Sequence, residues 1–562
     1  MTGGGTAVLR RAAPAAWATV LAVLLLGPAL GRGYLLTYDM VWVPDLALRS
    51  DFLGLGTALP RAVPSDAVVA VLDEVVPGML LQKLVLLGAL VSGGVGAAAL
   101  VGSSLAARLV AVSVYVWSPF VVERLWIGHW PLLLCWAALP WLVREGVRLR
   151  EDPRIGTALP VWLLVGSLSA NAGLMAAATL LAVGATRRSA PRLVALVLAA
   201  NAPWLVAGLL HVGDARSSSA GAVFGLDAEG PLPAPVAALT SGGIWNAEVV
   251  PDSRTQLLLP LVLTLVLGAL AVAGCRPMAR RLGRRTTTAL VALWAAGYAV
   301  AVVSWAAPGL LGWFAETLPA GGLLRDGSRW LALCAPLAAV AVAEGATRWV
   351  GRVPSRFALA AALVPLAFMP DAAWGVGGTL RAVDYPDEWA VARSELGDGR
   401  GDLLVLPFTS YRQPAWNHDH KVLDPLPRFL EPNYVVNDQL AVDGRIIAGE
   451  DPRVPDVLAA LALPGPGERA DALGALGIGA VVWDRSHPVP GYEASVAGTV
   501  VHRGDGVEVT LLEAPVDGRD TPIGWWAALL AAWAAYAGVA AVALVSVVRR
   551  VAPRMAVRPR DR

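Results

Sequence analysis

Long apolar stretches recur along almost the whole chain, and that recurrence leaves few folds open to it. Runs able to cross a bilayer lie near 15–31, 79–102, 105–122, 129–143, 193–211, 255–274, 286–306, 329–347, 356–370 and 523–548, each near the roughly 20 apolar residues that a helical span needs. A further stretch, 157–185, is too long for one untilted span at about 1.5 Å per residue, and Ser169, Asn171 and Gly173 interrupt it near its middle. Divided into a hairpin of two short spans, it brings the expectation to about twelve. With 56% hydrophobic and only 16% charged residues, the chain reads as a polytopic α-helical membrane protein. The first run follows Arg10 and Arg11, lacks a small-x-small cleavage pattern before Arg32 and Tyr34, and is read as a retained span.

Arginine placement tests the hairpin. Connections rich in basic residues belong on the cytoplasmic side. With 157–185 divided, that side collects Arg10 and Arg11; Arg144, Arg148, Arg150 and Arg154; Arg187, Arg188 and Arg192; Arg276, Arg280, Arg281, Arg284 and Arg285; Arg348, Arg352 and Arg356; and the tail from Arg549 to Arg562. Treated as one span, 157–185 would invert everything after it. The expected location is therefore a bacterial plasma membrane, with both termini cytoplasmic. A net charge of +2 leaves no field large enough for nucleic acid. Cys135, Cys275 and Cys334 have no CxxC spacing, so neither a disulfide framework nor a zinc site is expected.

The opposite face receives the longer, more acidic connections: 32–77, 123–128, 212–254, 307–328 and, above all, 371–522. Composition changes sharply in the last of these, which predicts a small extracytoplasmic α/β domain between a transmembrane module, 1–370, and a final span with its basic tail, 523–562. Leu403–Phe408 and Ala480–Trp483 read as buried strands, and 498–501 and 507–512 as a hairpin around Gly504, Asp505 and Gly506. The Pro- and aromatic-rich segment Tyr411–Asp438 carries Trp416, Asn417, His418, His420, Asp424, Arg428, Asn433, Asn437 and Asp438. Of these, Trp416, Asn417, His418, Asn437 and Asp438 suit a carbohydrate-facing or domain-docking loop, and the same residues also suit a well-bonded structural loop. No metal site is expected there, because alternate residues of an extended segment point apart.

Three polar groups at the outer membrane surface are candidate chemistry. Asp39 and Asp45 follow the first span directly, as candidate base, metal ligand or cation partner, or as solvated loop carboxylates. Asp73 and Glu74, later in the same loop, are candidate acidic support. Glu123, Arg124 and His129 share a tight helical turn; they could bind a ligand phosphate, or form an ion pair beside an interfacial histidine. Arg325 and Arg329 sit on the outer side against the usual charge asymmetry. Their guanidinium forks suit phosphoryl oxygens, while pairing with Asp326, Asp39 or lipid headgroups is the alternative. No P-loop, GxSxG or HExxH pattern is present.

A multi-span chain with an outer aspartate after the first span, a Ser-Pro-Phe-x5-Trp-x-Gly-His turn (Ser118 to His129), an Arg-Asp-x-x-Arg-Trp turn (Arg325 to Trp330) and a late polar domain resembles the GT-C superfamily of integral-membrane glycosyltransferases. The likeness is to actinobacterial mannosyl- and arabinofuranosyltransferase-like proteins and YfhO-type membrane proteins. The resemblance implies transfer of a sugar from a polyprenyl-phosphate donor to a cell-envelope glycan or lipid on the extracytoplasmic face. It implies Asp39 as catalytic base, Asp45 as a second acidic group, and Arg325 and Arg329, with Arg124 and His129, at the donor phosphate. No Asp-Asp or Asp-Glu pair directly follows the first span, so metal dependence stays open and the sequence requires none. An inactive envelope assembly factor and a lipid or polysaccharide transporter are the alternatives.

Overall fold

The structure, a computed structural model, describes residues 3–551 apart from 58, 213–222, 319–320, 351–359, 398–400, 443–444, 448, 450, 487–494, 514 and 517–520. Arg352, Arg356, the start of the expected span 356–370 and the tail beyond 551 lie outside the described residues. Helices form where the apolar runs are. They include α1 (Gly3–Leu26), α2 (Gly78–Leu100), α3 (Leu105–Val116), which continues after a Ser118-capped step into α4 (Pro119–Trp126), and α5 (Trp130–Glu151). After them come α6 (Leu159–Val165), α7 (Ala170–Gly184), α8 (Ala190–Leu210), α9 (Leu258–Ala306), α10 (Ala335–Val350) and, past the polar domain, a last helix at Ile523–Val551. Among the described residues, seven helical segments are long and apolar enough to cross a membrane. The protein is a polytopic helical membrane protein.

Two segments double back. α6 and α7 are separated at 166–169, and Asn171, at the apex, donates to the Leu323 carbonyl (2.9 Å). Gly184, at the far end, packs on Gly146 of α5. The 49-residue α9 is broken at Gly283, whose φ of 76° only glycine adopts freely. Both of its ends return to one loop: Ser304 Oγ accepts from Leu226 N (3.0 Å), while Arg254, just before α9, pairs with Glu229 (2.5 Å). The runs 255–274 and 286–306 thus form a hairpin, whose two arms flank α10 and the 3₁₀ turn before it. In contrast, what is described of 356–370 is only short helical turns, Ala361–Leu363 and Val364–Phe368, in a stretch holding Pro365 and Pro370.

One end of the bundle gathers arginines: Arg281 pairs with Glu344 (2.6 Å), Arg150 donates to Thr286 Oγ1 (2.5 Å) and Arg348 to the Ala273 carbonyl (3.2 Å). The other end carries the α/β domain. Its strands are β1 (Asp402–Leu406), β2 (Tyr434–Val435), β3 (Ile478–Asp484), β4 (Thr499–Arg503) and β5 (Val507–Leu511). They form one sheet in the order β4-β5-β3-β1-β2, with β1 parallel to β2 and β3 and the hairpin antiparallel. Leu404, Leu406 and Val481 face the helices Val454–Leu461 and Pro466–Ala475. Leu403, Val405, Val482 and Val509 belong to the core shared with the membrane helices. The domain is therefore bonded to the bundle on its inner face. Arg428 reaches Asp66 (2.5 Å), and Tyr34–Leu35 pairs antiparallel with Ala382–Val383.

Close helix packing in the bundle rests on small residues. A Cβ at Gly345 would lie 1.9 Å from the Leu270 carbonyl oxygen of α9. Gly345→Val should push the two helices apart and cost about 2 kcal/mol, read as a lower unfolding temperature of the purified protein in detergent; unchanged stability would contradict this packing.

Candidate functional site

The bundle's polar end converges on one turn of backbone. Thr37–Met40 folds back on itself, with Tyr38 at φ 42°. On one side Asp39 N donates to the Ile127 carbonyl (3.1 Å) and Thr37 Oγ1 to that of Trp126 (2.7 Å), so the turn is bound to the α4–α5 elbow. Gly128 makes that approach possible: it has φ 87°, and a Cβ there would sit 2.3 Å from Met40 N. On the other side Tyr38 N donates to the Lys421 carbonyl and Leu423 N to that of Tyr38, both at 2.8 Å. The first outer loop is thus a seam between helices and α/β domain.

Asp39 stands at the centre. Tyr411 of the domain donates to its Oδ1 (2.6 Å), and His129 Nε2 lies 3.3 Å from its Oδ2. Arg124 Nη1 lies 3.3 Å from His129 Nδ1, and Arg329 Nη2 lies 3.3 Å from Nε2. Arginine can only donate, so the bond from Arg124 makes Nδ1 the acceptor. The ring proton then sits on Nε2 and points at Asp39. Beneath, Asp326 accepts from Arg329 Nε (2.8 Å) and from Ser328 Oγ (2.6 Å), which itself accepts from Arg124 (2.6 Å). Arg124, Asp326 and Ser328 are buried, whereas the Asp39 and Arg329 side chains are 40% and 33% exposed. The result is a crevice whose two open charges, a carboxylate and a guanidinium, rest on a buried ionic layer.

Electrostatics fix the protonation states. Burial raises the carboxyl pKa of Asp39, but hydrogen bonds from His129 and Tyr411 and the Arg329 charge outweigh it, leaving Asp39 below the ordinary carboxylate value. For His129, burial and then the Arg329 charge outweigh the pull of Asp39, and its pKa falls to about 4. It is neutral at pH 7. Burial and the Asp39 charge push the Tyr411 hydroxyl well up, which keeps it a donor. Arg329 has donors to spare, because its Nη2 faces a ring N–H rather than an acceptor.

The remaining candidates divide. Asp45, at φ 54°, faces Arg393 of the domain (3.0 Å) and stays outside the cluster; Arg393 also binds Glu431 (3.1 Å). Asp73 Oδ2 accepts from Leu46 N (2.8 Å), and burial raises its pKa; Glu74 is exposed. Together with Asp45 they form a separate acidic patch. Glu123 is buried beside Glu229 and Arg254, with the Arg124 charge also acting on it. Arg325 lies over the Phe224 ring (5.1 Å). Trp416 packs in an aromatic cluster with Tyr385 and Trp389, and Asn417 donates to the Leu36 and His420 carbonyls (3.3 and 3.1 Å). Asn437 donates to the Phe408 carbonyl (3.0 Å), and Asp438 pairs with Arg61 (3.4 Å). These four side chains make contacts within the protein itself, and His418 is exposed. No group of three metal-ligating side chains gathers among the described residues. Sequence reasoning missed Tyr411 and Ser328, whereas the pairing of Arg329 with Asp326 was one of its two readings of that turn.

No protein-family model matches this chain, and no curated protein sequence does. Among solved structures it is similar to the arabinofuranosyltransferase AftD from Mycobacteria, with a TM-score of 0.52 and 18% identity over 89% of this chain. This chain spans only 40% of the AftD chain. The likeness is one of fold.

Because the folded pKa of Asp39 is depressed, its ionised form adds stability above the unfolded value, near 3.9, and that stability is lost as pH falls through the folded one. Tyr411→Phe removes one donor, so Asp39 should protonate at higher pH. Infrared titration of the carboxyl stretch, assigned with Asp39→Asn, checks this; an unshifted midpoint would mean that Tyr411 does not hold the carboxylate.

Proposed function

We propose that the protein is a GT-C-type membrane glycosyltransferase that moves a sugar from a polyprenyl-phosphate donor to a cell-envelope glycan or lipid on the extracytoplasmic face. The carrying observation is the juxtaposition of an ionised, accessible Asp39 with the open guanidinium of Arg329, on a fold shared with an arabinofuranosyltransferase. Asp39 takes the proton of an acceptor hydroxyl as that oxygen attacks the anomeric carbon. The bond from that carbon to the phosphate oxygen breaks, and the departing phosphate carries its charge to Arg329. A carboxylate held low is a weak resting base, so proton transfer is matched to a hydroxyl that acidifies only as the new bond forms. His129, neutral, orients the carboxylate, and Arg124 sets its tautomer. Asp326 holds Arg329 in place without using all its donors.

The arginine-rich bundle end would face the cytoplasm under the charge-asymmetry rule, putting the crevice and the α/β domain outside. A donor anchored in the outer leaflet would then present its phosphate at the depth of Arg329, and no soluble nucleotide is needed there.

Asp39→Asn should lower turnover about 10²- to 10⁴-fold, while Arg329→Gln should raise the donor KM roughly ten- to a hundredfold with less effect on the acceptor. Both are read in membranes by counting glycan product against accumulated lipid-linked sugar, after confirming insertion. Parental turnover in Asp39→Asn would sink the assignment.

A further inference from the structure

A second polar constellation lies at the other end of the bundle. The break at Gly283 turns the α9 hairpin just before Arg284 and Arg285, and these two line a cavity of about 510 Å³ with Ala182, Thr288, Ala289 and Ala292. It is an open, shallow slot with an apolar lining: Ala182, Arg284, Arg285, Thr288 and Ala292 are exposed, and Ala289 is buried at its floor.

The rim is charged in one sense. Arg285 donates to the Ala185 carbonyl (2.5 Å), which leaves donors of its fork over, and among the described residues no carboxylate pairs with it or with Arg284. Arg150, from α5, stands close behind: it donates to Thr286 Oγ1 (2.5 Å), its Nη1 is buried without a partner, and the Arg285 charge bears on it. Glu151 is the carboxylate that acts on Arg150, and it is exposed. Crowded guanidiniums with spare donors above an apolar slot want an anion with a hydrocarbon tail.

We propose that this cavity binds one anionic phospholipid, its headgroup phosphate between Arg284 and Arg285 and an acyl chain along Ala182, Ala289 and Ala292. The chemistry is the recognition of a phosphate by guanidinium forks at a bilayer surface. It stands independently of the reaction at Asp39. Binding would clamp the turn of the α9 hairpin to α7 and α5, which otherwise meet there through single hydrogen bonds.

The test uses the full-length protein, purified in detergent and delipidated, then exposed to phosphatidylglycerol, phosphatidylcholine or inorganic phosphate and examined by native mass spectrometry and thermal unfolding. Phosphatidylglycerol should remain bound and raise the unfolding temperature, whereas phosphatidylcholine and phosphate should do neither. Retention should fall about fivefold for each arginine removed in Arg284→Gln and Arg285→Gln. Ala292 is exposed, so Ala292→Phe fills the slot while keeping the arginines and the fold, and it too should release the lipid. Equal retention of the two lipids, a shift by phosphate matching that by phosphatidylglycerol, or undiminished retention in Ala292→Phe would each overturn the proposal.

Discussion

Two residues of backbone hold the functional end of this protein together. Tyr38 exchanges main-chain hydrogen bonds with the strand-like segment around Val422, while the next residue, Asp39, donates its own N–H to the elbow between two membrane helices. The polypeptide at this point is shared by the bundle and the α/β domain, and the Asp39 carboxylate inherits its position from both. A displacement of either partner would move the carboxylate relative to Arg329, which is anchored separately through Asp326. Rigidity there is a condition for any chemistry that needs the two charges at a fixed separation.

The buried layer beneath the crevice explains how such charges are tolerated. Arg124 and Asp326 lie deep in the protein, where an unpaired charge is expensive. They neutralise one another through Ser328, and Arg329 shares the Asp326 carboxylate. Ion pairing balances the charges of the lower face of the cluster, while the exposed upper face has hydrogen-bonding capacity within reach of a ligand. His129 completes the arrangement as an uncharged spacer: its two nitrogens pass an orientation, rather than a charge, from Arg124 to Asp39.

Much of this architecture was legible in the sequence because its causes are local. Glycine and serine interrupt the 157–185 run, arginine asymmetry demands a hairpin there, and the structure breaks the helix between Val165 and Ala170. The strands around Leu403 and Val481 and the hairpin beyond Gly498 follow from continuous apolar runs and turn residues. The convergence of Asp39, His129 and Arg329 was legible only through three separate motifs, each ambiguous alone. What could not be read was long-range: nothing near Tyr411 marks it as a donor to Asp39, and nothing in the first outer loop distinguishes Asp39 from Asp45, since both are aspartates among apolar neighbours. The polar, aromatic segment 411–438 left carbohydrate-facing and docking readings open together, because docking surfaces and glycan surfaces draw on the same residue types.

The separation of Asp39 from its phenolic donor has a consequence for biogenesis. The two lie 372 residues apart in the chain, and at about 5–20 residues per second the ribosome needs roughly 20 to 75 seconds to add the second after the first. During that interval the early helices are already in the bilayer and can assemble their ionic layer only as far as translation has reached. The crevice is closed last, by a domain that is translated after the helices it folds against.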